Sequence, residues 1–343
     1  MTPGSVTQVP PIIVTPGEPG GVGPEIAIKA WQQLRHEPAL AFALLCDITH
    51  LQMLAHKAGL DVKFNAIDTL SICGRHFADG LPVLDRRLTG PVQLGKFNSG
   101  HAQWVLAAIR EAASACMSGT ASAMVTCPIH KEALYSAGFK HQGHTDFLAH
   151  LAREAGHEAH DVMLLVGGGL RAVPVTVHIA LKDVPRQLTR EAIVTQAQIV
   201  AHDLVRKFGI ARPRLAVTGL NPHAGENGSM GREEIEIILP AIEALRSEGL
   251  SVVGPLPADS AFIPETRESY DAILCMYHDQ ALIPVKALDF HGGVNATLGL
   301  PFIRTSPDHG TALAIAGTGT AKPESLIAAI RLASSMARTS ASG

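Results

Sequence analysis

No apolar run in the chain approaches the ~18 residues that a membrane-spanning helix needs. The opening MTPGSVTQVP has no basic start followed by an apolar core. Neither a membrane span nor a secretory leader is expected, and the expected location is cytoplasmic. Cysteine is sparse: Cys46, Cys73, Cys116, Cys127 and Cys275 are odd in number, widely spaced and without a Cys-x-x-Cys pair, as suits reduced core thiols. An excess of positive charge is also missing. The formal net charge is -3, which gives no electrostatic case for a nucleic-acid partner. No internal repeat and no low-complexity linker interrupts the chain.

A standard dinucleotide fingerprint is absent too, although one stretch invites it. TPGEPGGVGPEIAIKAW (15–31) follows the apolar PIIV (11–14) and leads into a helical pattern. The fingerprint needs glycines at i, i+2 and i+5. From Gly21, the i+2 place holds Gly23 but the i+5 place holds Ile26. Pro24 suits a first helical turn, and Glu25 suits the positive end of the helix dipole. The stretch reads as a tight strand-to-helix turn.

What is present is a buried α/β protein. Hydrophobic residues make up 46% of the 343 and charged residues 17%, a length and composition that predict two domains or lobes. Strand-length apolar runs occur at 11–14, 41–46, 122–127, 162–167, 173–180, 214–220 and 271–277. Helical patterns lie between several of them, at 190–208 before Gly209 and at 232–249, ending in Gly249. Alternation of this kind predicts a mostly parallel sheet covered on both faces. GTGTAKPES (317–325) reads as a loop before a final helix, and the closing ARTSASG as frayed.

Histidine is abundant at 17, and three of them follow predicted strands. His178 sits late in VPVTVHIA, His223 lies in the loop NPHAGENGSMG after RLAVTGL, and His278 follows DAILCMY. Ligands of open α/β folds gather beyond the carboxyl ends of strands, so three imidazoles there are candidates to bind one divalent cation with an open position. Each taken alone could instead cap a strand. Lys286, Asn295 and Arg304 recur every nine residues in VKALDFHGGVNATLGLPFIRTS, a donor set that suits a phosphate or carboxylate, or ordinary surface solvation. In GHTDF (143–147), His144 and Thr145 stand at a loop-to-helix start. That place favours an anion, or makes Thr145 a simple N-cap.

TPGEPGGVGPEI, CPIHKEAL, GHTDF, GLNPHAGENGSMGREE, GPLPADSAF, MYHDQALIPVK and GVNATLGLPFIRTSPDHGTA together resemble the 4-hydroxythreonine-4-phosphate dehydrogenase family of vitamin B6 biosynthesis, from about residue 11 to about 330. GVGPE (21–25) is similar to the first turn of isopropylmalate and isocitrate dehydrogenases, which bind NAD without the Rossmann fingerprint. The resemblance implies an α/β fold of two α/β/α lobes with mostly parallel sheet, isopropylmalate dehydrogenase-like, with the active site in the inter-lobe cleft. It places residues 1–125 with 306–343 in a cofactor lobe and 126–305 in a lobe for metal, substrate and dimer contacts. By position it implies His178, His223 and His278 as metal ligands, shared between the subunits of a homodimer. It implies His144, Thr145, Lys286, Asn295 and Arg304 as substrate contacts. Gly21, Gly23, His309, Gly310 and Thr311 are implied near NAD or NADP, and Lys286 or Asp259 as proton relays. Three imidazoles suit Zn2+, with Mg2+ or Co2+ compatible.

The implied reaction is oxidation of 4-(phosphooxy)-L-threonine at C3, followed by loss of carbon dioxide. Three other readings remain open: a D-threonate or D-erythronate 4-phosphate dehydrogenase, a zinc-dependent hydrolase, and a two-lobed binding protein without catalysis.

Overall fold

The computed structural model describes residues 9–342. Its twelve strands are β1 Ile12–Thr15, β2 Phe42–Cys46, β3 Phe64–Ala66, β4 Leu81–Asp85, β5 Met124–Thr126, β6 Val162–Gly167, β7 Leu170–Thr176, β8 Arg214–Thr218, β9 Ser251–Leu256, β10 Ala272–Tyr277, β11 Val294–Leu298 and β12 Arg304–Pro307. The chain divides into two compact units: unit 1 runs through Ala159 and resumes at Leu300, and unit 2 is His160–Gly299. The expected boundary at 125/126 lies inside unit 1, because the helix His144–Glu154 packs on the helix Ala102–Met117 of the same unit.

Unit 1 carries strands in the order β3-β4-β2-β1-β5-β12, every pairing parallel. Its central strands are buried along their whole length, which is why they read as continuous apolar runs. Helix ends follow local chemistry. The Asp47 carboxylate accepts from the N–H groups of Thr49 and His50 to open the helix Ile48–Ala58, and Gly59 closes it at φ 66°.

The glycine-rich turn is packed by the chain itself. A Cβ on Gly23 would strike the Pro16 carbonyl and lie 2.9 Å from Cys127 Cβ, and one on Gly20 would strike the Lys96 carbonyl. Pro24 sits in the first turn of the helix Gly23–Leu34. Glu25 does more than face a dipole. Fully buried, it accepts from the N–H groups of Gly317 and Ala321 and pairs with Lys29 at 3.1 Å, anchoring the 317–321 loop.

Unit 2 carries the order β11-β6-β7-β10-β8-β9. β7, β10, β8 and β9 run parallel, while β6 is antiparallel to both β7 and β11. Gly168 and Gly169, at φ 56° and 79°, make the two-residue hairpin between β6 and β7. The core includes Leu165, Leu170, Ala172, Ala216, Ile273 and Val285.

Two helical expectations are refined. The helix Arg190–Phe208 has the expected bounds, capped by Thr189 and by Gly209 at φ 71°. The 232–249 pattern is a π turn, Glu234–Ile238, followed by the α-helix Leu239–Ser247. The closing ARTSASG is not frayed as expected. The helix Glu324–Ser342 continues through it, with Met336 and Ala337 buried, and Gly343 lies outside the described residues. All five cysteines are buried and unpaired. No helix of the described residues is long and apolar enough to cross a membrane.

Candidate functional site

In unit 1 a buried arginine on β12 lies near a buried imidazole. Parallel pairing of β12 with β5 puts Arg304 opposite Met124 and beside the strand end that carries Thr126. Arg304 is only 3% exposed, which removes the surface-solvation reading for this residue. Its Nε and Nη2 donate to the Thr126 hydroxyl at 3.2 and 2.7 Å, fixing the guanidinium plane. Burial pulls its pKa down to about 9, so it remains a cation at neutral pH.

His144 opens the helix His144–Glu154, with Gly143 in the cap position. Thr145 is therefore a first-turn residue and not the N-cap. Burial lowers the His144 pKa well below the ordinary imidazole value, and the charges of Arg304 and Lys131 add to that. A neutral ring results, with a buried Nε2 that has no hydrogen-bond partner. Lys131 was not singled out from sequence. It opens the helix Lys131–Ser136, and its Nζ would lie 3.8 Å from a Cβ built on Gly143. The charges that act on His144 are thus both positive, at the N-terminus of an eleven-residue helix.

The two segments considered for the cofactor meet in the same unit. The Val22 N–H donates to the Thr311 carbonyl at 3.0 Å, and a Cβ on Gly21 would lie 3.0 Å from that oxygen. Gly21 and Gly23 are buried, His309 and Gly310 exposed.

In unit 2, the three histidines follow β7, β10 and β8, which are adjacent and parallel. β7 ends at Thr176, earlier than the expected run to 180, because the chain turns at His178 with φ 51°. His278 opens the helix His278–Leu288 directly after β10. The His178 and His278 rings lie 5.5 Å apart. His278 Nδ1 is hydrogen-bonded to Asp279 at 2.8 Å, and its Nε2 takes no part in that bond. His223 sits in the turn Pro222–Gly228, where His223, Ala224, Glu226 and Asn227 all have φ between 43° and 55°. Left-handed backbone costs roughly 1–2 kcal/mol per L-residue, and strain of this kind concentrates at functional sites. Among the described residues, no three His, Cys, Asp or Glu side chains are grouped closely enough to hold a metal ion. His178 and His278 thus form a ring pair that is not by itself a metal centre.

Lys286 lies on the His278 helix, eight residues on and ~12 Å along its axis, with Nζ 5.5 Å over the Phe290 ring. Asn295 stands in β11 opposite Leu165. Lys286 and Asn295 therefore belong to unit 2, and Arg304 to unit 1. Asp259 is exposed on the short helix Ala258–Ala261, which packs against the turn carrying His223.

These features belong to the class of two-unit α/β proteins built on a mostly parallel sheet. Comparison with known proteins narrows the class. Residues 41–333 match the model of the family described as pyridoxal phosphate biosynthetic protein PdxA, and the chain belongs to that family. It is 51% identical over 329 residues to 4-hydroxythreonine-4-phosphate dehydrogenase of Caulobacter vibrioides, covering 95% of this chain and 97% of that one. The crystal structure of 4-hydroxythreonine-4-phosphate dehydrogenase from Klebsiella pneumoniae superposes with a TM-score of 0.85 at 37% identity, over 96% of this chain and 99% of the other. A terephthalate 1,2-cis-dihydrodiol dehydrogenase from Burkholderia xenovorans is more distant, with a TM-score of 0.63 at 28% identity over 95% and 98% of the two chains.

Proposed function

We propose that the chain oxidises 4-(phosphooxy)-L-threonine at C3 with NAD or NADP. The product, 2-amino-3-oxo-4-(phosphooxy)butanoate, loses carbon dioxide to give 3-amino-2-oxopropyl phosphate, a step toward pyridoxine 5'-phosphate. The observation that carries this reading is the anion receptor of unit 1, where buried Arg304, neutral His144 and Lys131 converge in a chain whose relatives are named for a phosphorylated substrate.

Arg304, Lys131, His144 and Thr145 hold the substrate's anionic end. Binding energy gathered there orients C3, away from the phosphate itself. Unit 1 also offers the Gly21–Gly23 turn and the His309–Thr311 segment to the cofactor. His178, His223 and His278 would hold a divalent cation, Zn2+ by the preference of three imidazoles. When bound, a nicotinamide would supply the hydride acceptor for C3 and a divalent cation would supply stabilisation of negative charge on the C3 oxygen. Lys286, as its neutral amine, or the Asp259 carboxylate would relay the C3 hydroxyl proton. After carbon dioxide departs, with its bonding electrons delocalised toward the C3 carbonyl, a proton is delivered to C2.

A homodimer completes the metal site in this reading. Leu181, Ile283 and Phe290, close in sequence to His178 and His278, are large apolar side chains exposed on unit 2. A second copy covering them would bring further ligands to the histidine pair.

The nearest rival, oxidation of D-threonate or D-erythronate 4-phosphate, uses the same phosphate and metal residues and differs only where the amino group sits. The zinc-hydrolase reading requires turnover without nicotinamide, and the dehydrogenase names of the relatives weigh against it. The test is NADH or NADPH formation with 4-(phosphooxy)-L-threonine and D-threonate 4-phosphate side by side. A kcat/KM at least tenfold higher for the amino acid supports the proposal, and a preference for the sugar acid overturns the substrate assignment.

A further inference from the structure

The segment 93–98 of unit 1 seats an aromatic ring beside the glycine-rich turn. The Gly95 N–H donates to the Gly20 carbonyl at 2.9 Å, and a Cβ on Gly20 would strike the Lys96 carbonyl. The bare glycine is therefore what admits the segment to the turn. Glu18, 3% exposed, anchors the segment's other end. Its Oε1 accepts from the Gly20 N–H at 3.3 Å, and the Asn98 N–H also stabilises its carboxylate. The Glu18 N–H in turn donates to the Pro128 carbonyl at 2.9 Å, just past the end of β5.

Phe97 lies between the two anchors. Its ring is stacked on His130, with centroids 4.0 Å apart and planes inclined by 13°. The residue is nonetheless 37% exposed, so an aromatic surface supported from behind stands open to solvent. The face of a phenyl ring is electron-rich and attracts a flat cation. On one side the stack adjoins the groups assigned to the substrate's anionic end. Lys131 follows His130, its Nζ would lie 3.8 Å from a Cβ on Gly143, and its charge acts on His144. On the other side the turn meets Thr311 through the Val22 N–H at 3.0 Å. Phe97 thus joins the cofactor turn to the substrate side. The cofactor ring that exchanges hydride with the substrate has to lie there, and the adenine, remote from the reacting carbon, does not.

We propose that Phe97, backed by His130, is the surface on which the nicotinamide ring of NAD+ or NADP+ stacks. The proposal rests on the nicotinamide-dependent reading given above. Stacking covers one face of the ring and leaves the other for the hydrogen on C3. The oxidised ring is a pyridinium cation and the reduced ring is neutral, so a phenyl face holds the oxidised form more tightly.

The test is equilibrium binding of the nicotinamides alone to the full chain, with NADH and NADPH followed by their fluorescence and NAD+ and NADP+ by displacing them. Phe97→Leu keeps an apolar side chain and removes the aromatic face. Tyr135→Leu is the control, since Tyr135 is another exposed aromatic of unit 1, stacked on Phe139 and outside this segment. Phe97→Leu is expected to bind the oxidised form roughly five- to thirtyfold more weakly and the reduced form at most about threefold more weakly. Tyr135→Leu should bind both as the wild type does, and Phe97→Trp, with a stronger aromatic face, should match or exceed wild-type affinity for the oxidised form. Equal losses of the two forms in Phe97→Leu, unchanged binding of the oxidised form, or the same loss in Tyr135→Leu overturns the stacking surface and leaves the cofactor reading standing. Wild-type protein that binds none of the four nucleotides overturns both. Should Phe97→Leu fail to fold, Phe97→Trp decides. An indole–pyridinium charge-transfer absorbance with the oxidised nucleotide, absent with the reduced one, then supports the stack, and no such absorbance overturns it.

Discussion

The imidazoles of His178 and His278 lie 5.5 Å apart with their planes inclined at 40°, each just beyond the end of one of two adjacent parallel strands. The same two strand ends are held together by the Thr176–Met276 hydrogen bond. His178 reaches its place with φ 51°, a conformation that glycine adopts more easily. His178→Gly should therefore be more stable than His178→Ala by ~1 kcal/mol in urea unfolding, while both lose metal affinity. Equal stability of the two variants would show that the backbone at 178 is not strained.

Lys131 and Arg304 should separate binding from folding. Lys131 is exposed, so Lys131→Met is expected to leave the unfolding midpoint unchanged and to raise KM for the phosphorylated substrate about tenfold. Arg304→Met leaves the buried Thr126 hydroxyl without its partner, so it should cost both affinity and ~1–3 kcal/mol of stability. Steady-state kinetics with urea titrations on both variants checks the pair. An unchanged KM in Lys131→Met removes that residue from the receptor.

Acid should weaken the fold through its buried imidazoles. Burial lowers the pKa of His50 and His101, and burial with two neighbouring cations lowers that of His144. Below the ordinary value of 6.5 the unfolded chain takes up protons that the folded chain refuses. Stability present above pH 6.5 is then lost as pH falls toward the depressed folded values, at up to ~1.4 kcal/mol per pH unit for each histidine. Urea midpoints at pH 7.5 and 5.5 measure the loss, and a smaller loss is expected in His50→Leu. An equal loss in that variant would take His50 out of the account.

Gly23→Ala should cost about 1–3 kcal/mol by overpacking against Pro16 and Cys127. A thermal melt indistinguishable from the wild type would mean that the turn has room to shift.

Central strands were legible because burial on both faces writes them as unbroken apolar runs, as in FALLC of β2 and AILCMY of β10. The edges were not. β3 has three residues, and β9 carries Gly254 and Pro255 within an edge strand whose register with β8 is shifted. β12, RTSP, is a buried strand made of polar residues, and sequence reading saw only its arginine. The three histidines could be seen from sequence because each follows a strand. Lys131 could not, since its neighbours Gly143 and His144 lie twelve and thirteen residues away. The clue available was an ammonium just past a strand end. Gln280, which ties Met276 to Gly219, and Glu234, which holds Leu220 and Asn221, were hidden for another reason: most of their partners are backbone groups, which no residue type announces.

The most direct measurement is nicotinamide reduction with 4-(phosphooxy)-L-threonine before and after removal of divalent metal by a chelator, then after Zn2+ is returned. Turnover that disappears with the metal and recovers with Zn2+ in the wild type, but not in His223→Ala, is the predicted result. Turnover that persists through chelation, or is normal in His223→Ala, would contradict the metal-assisted dehydrogenase described here.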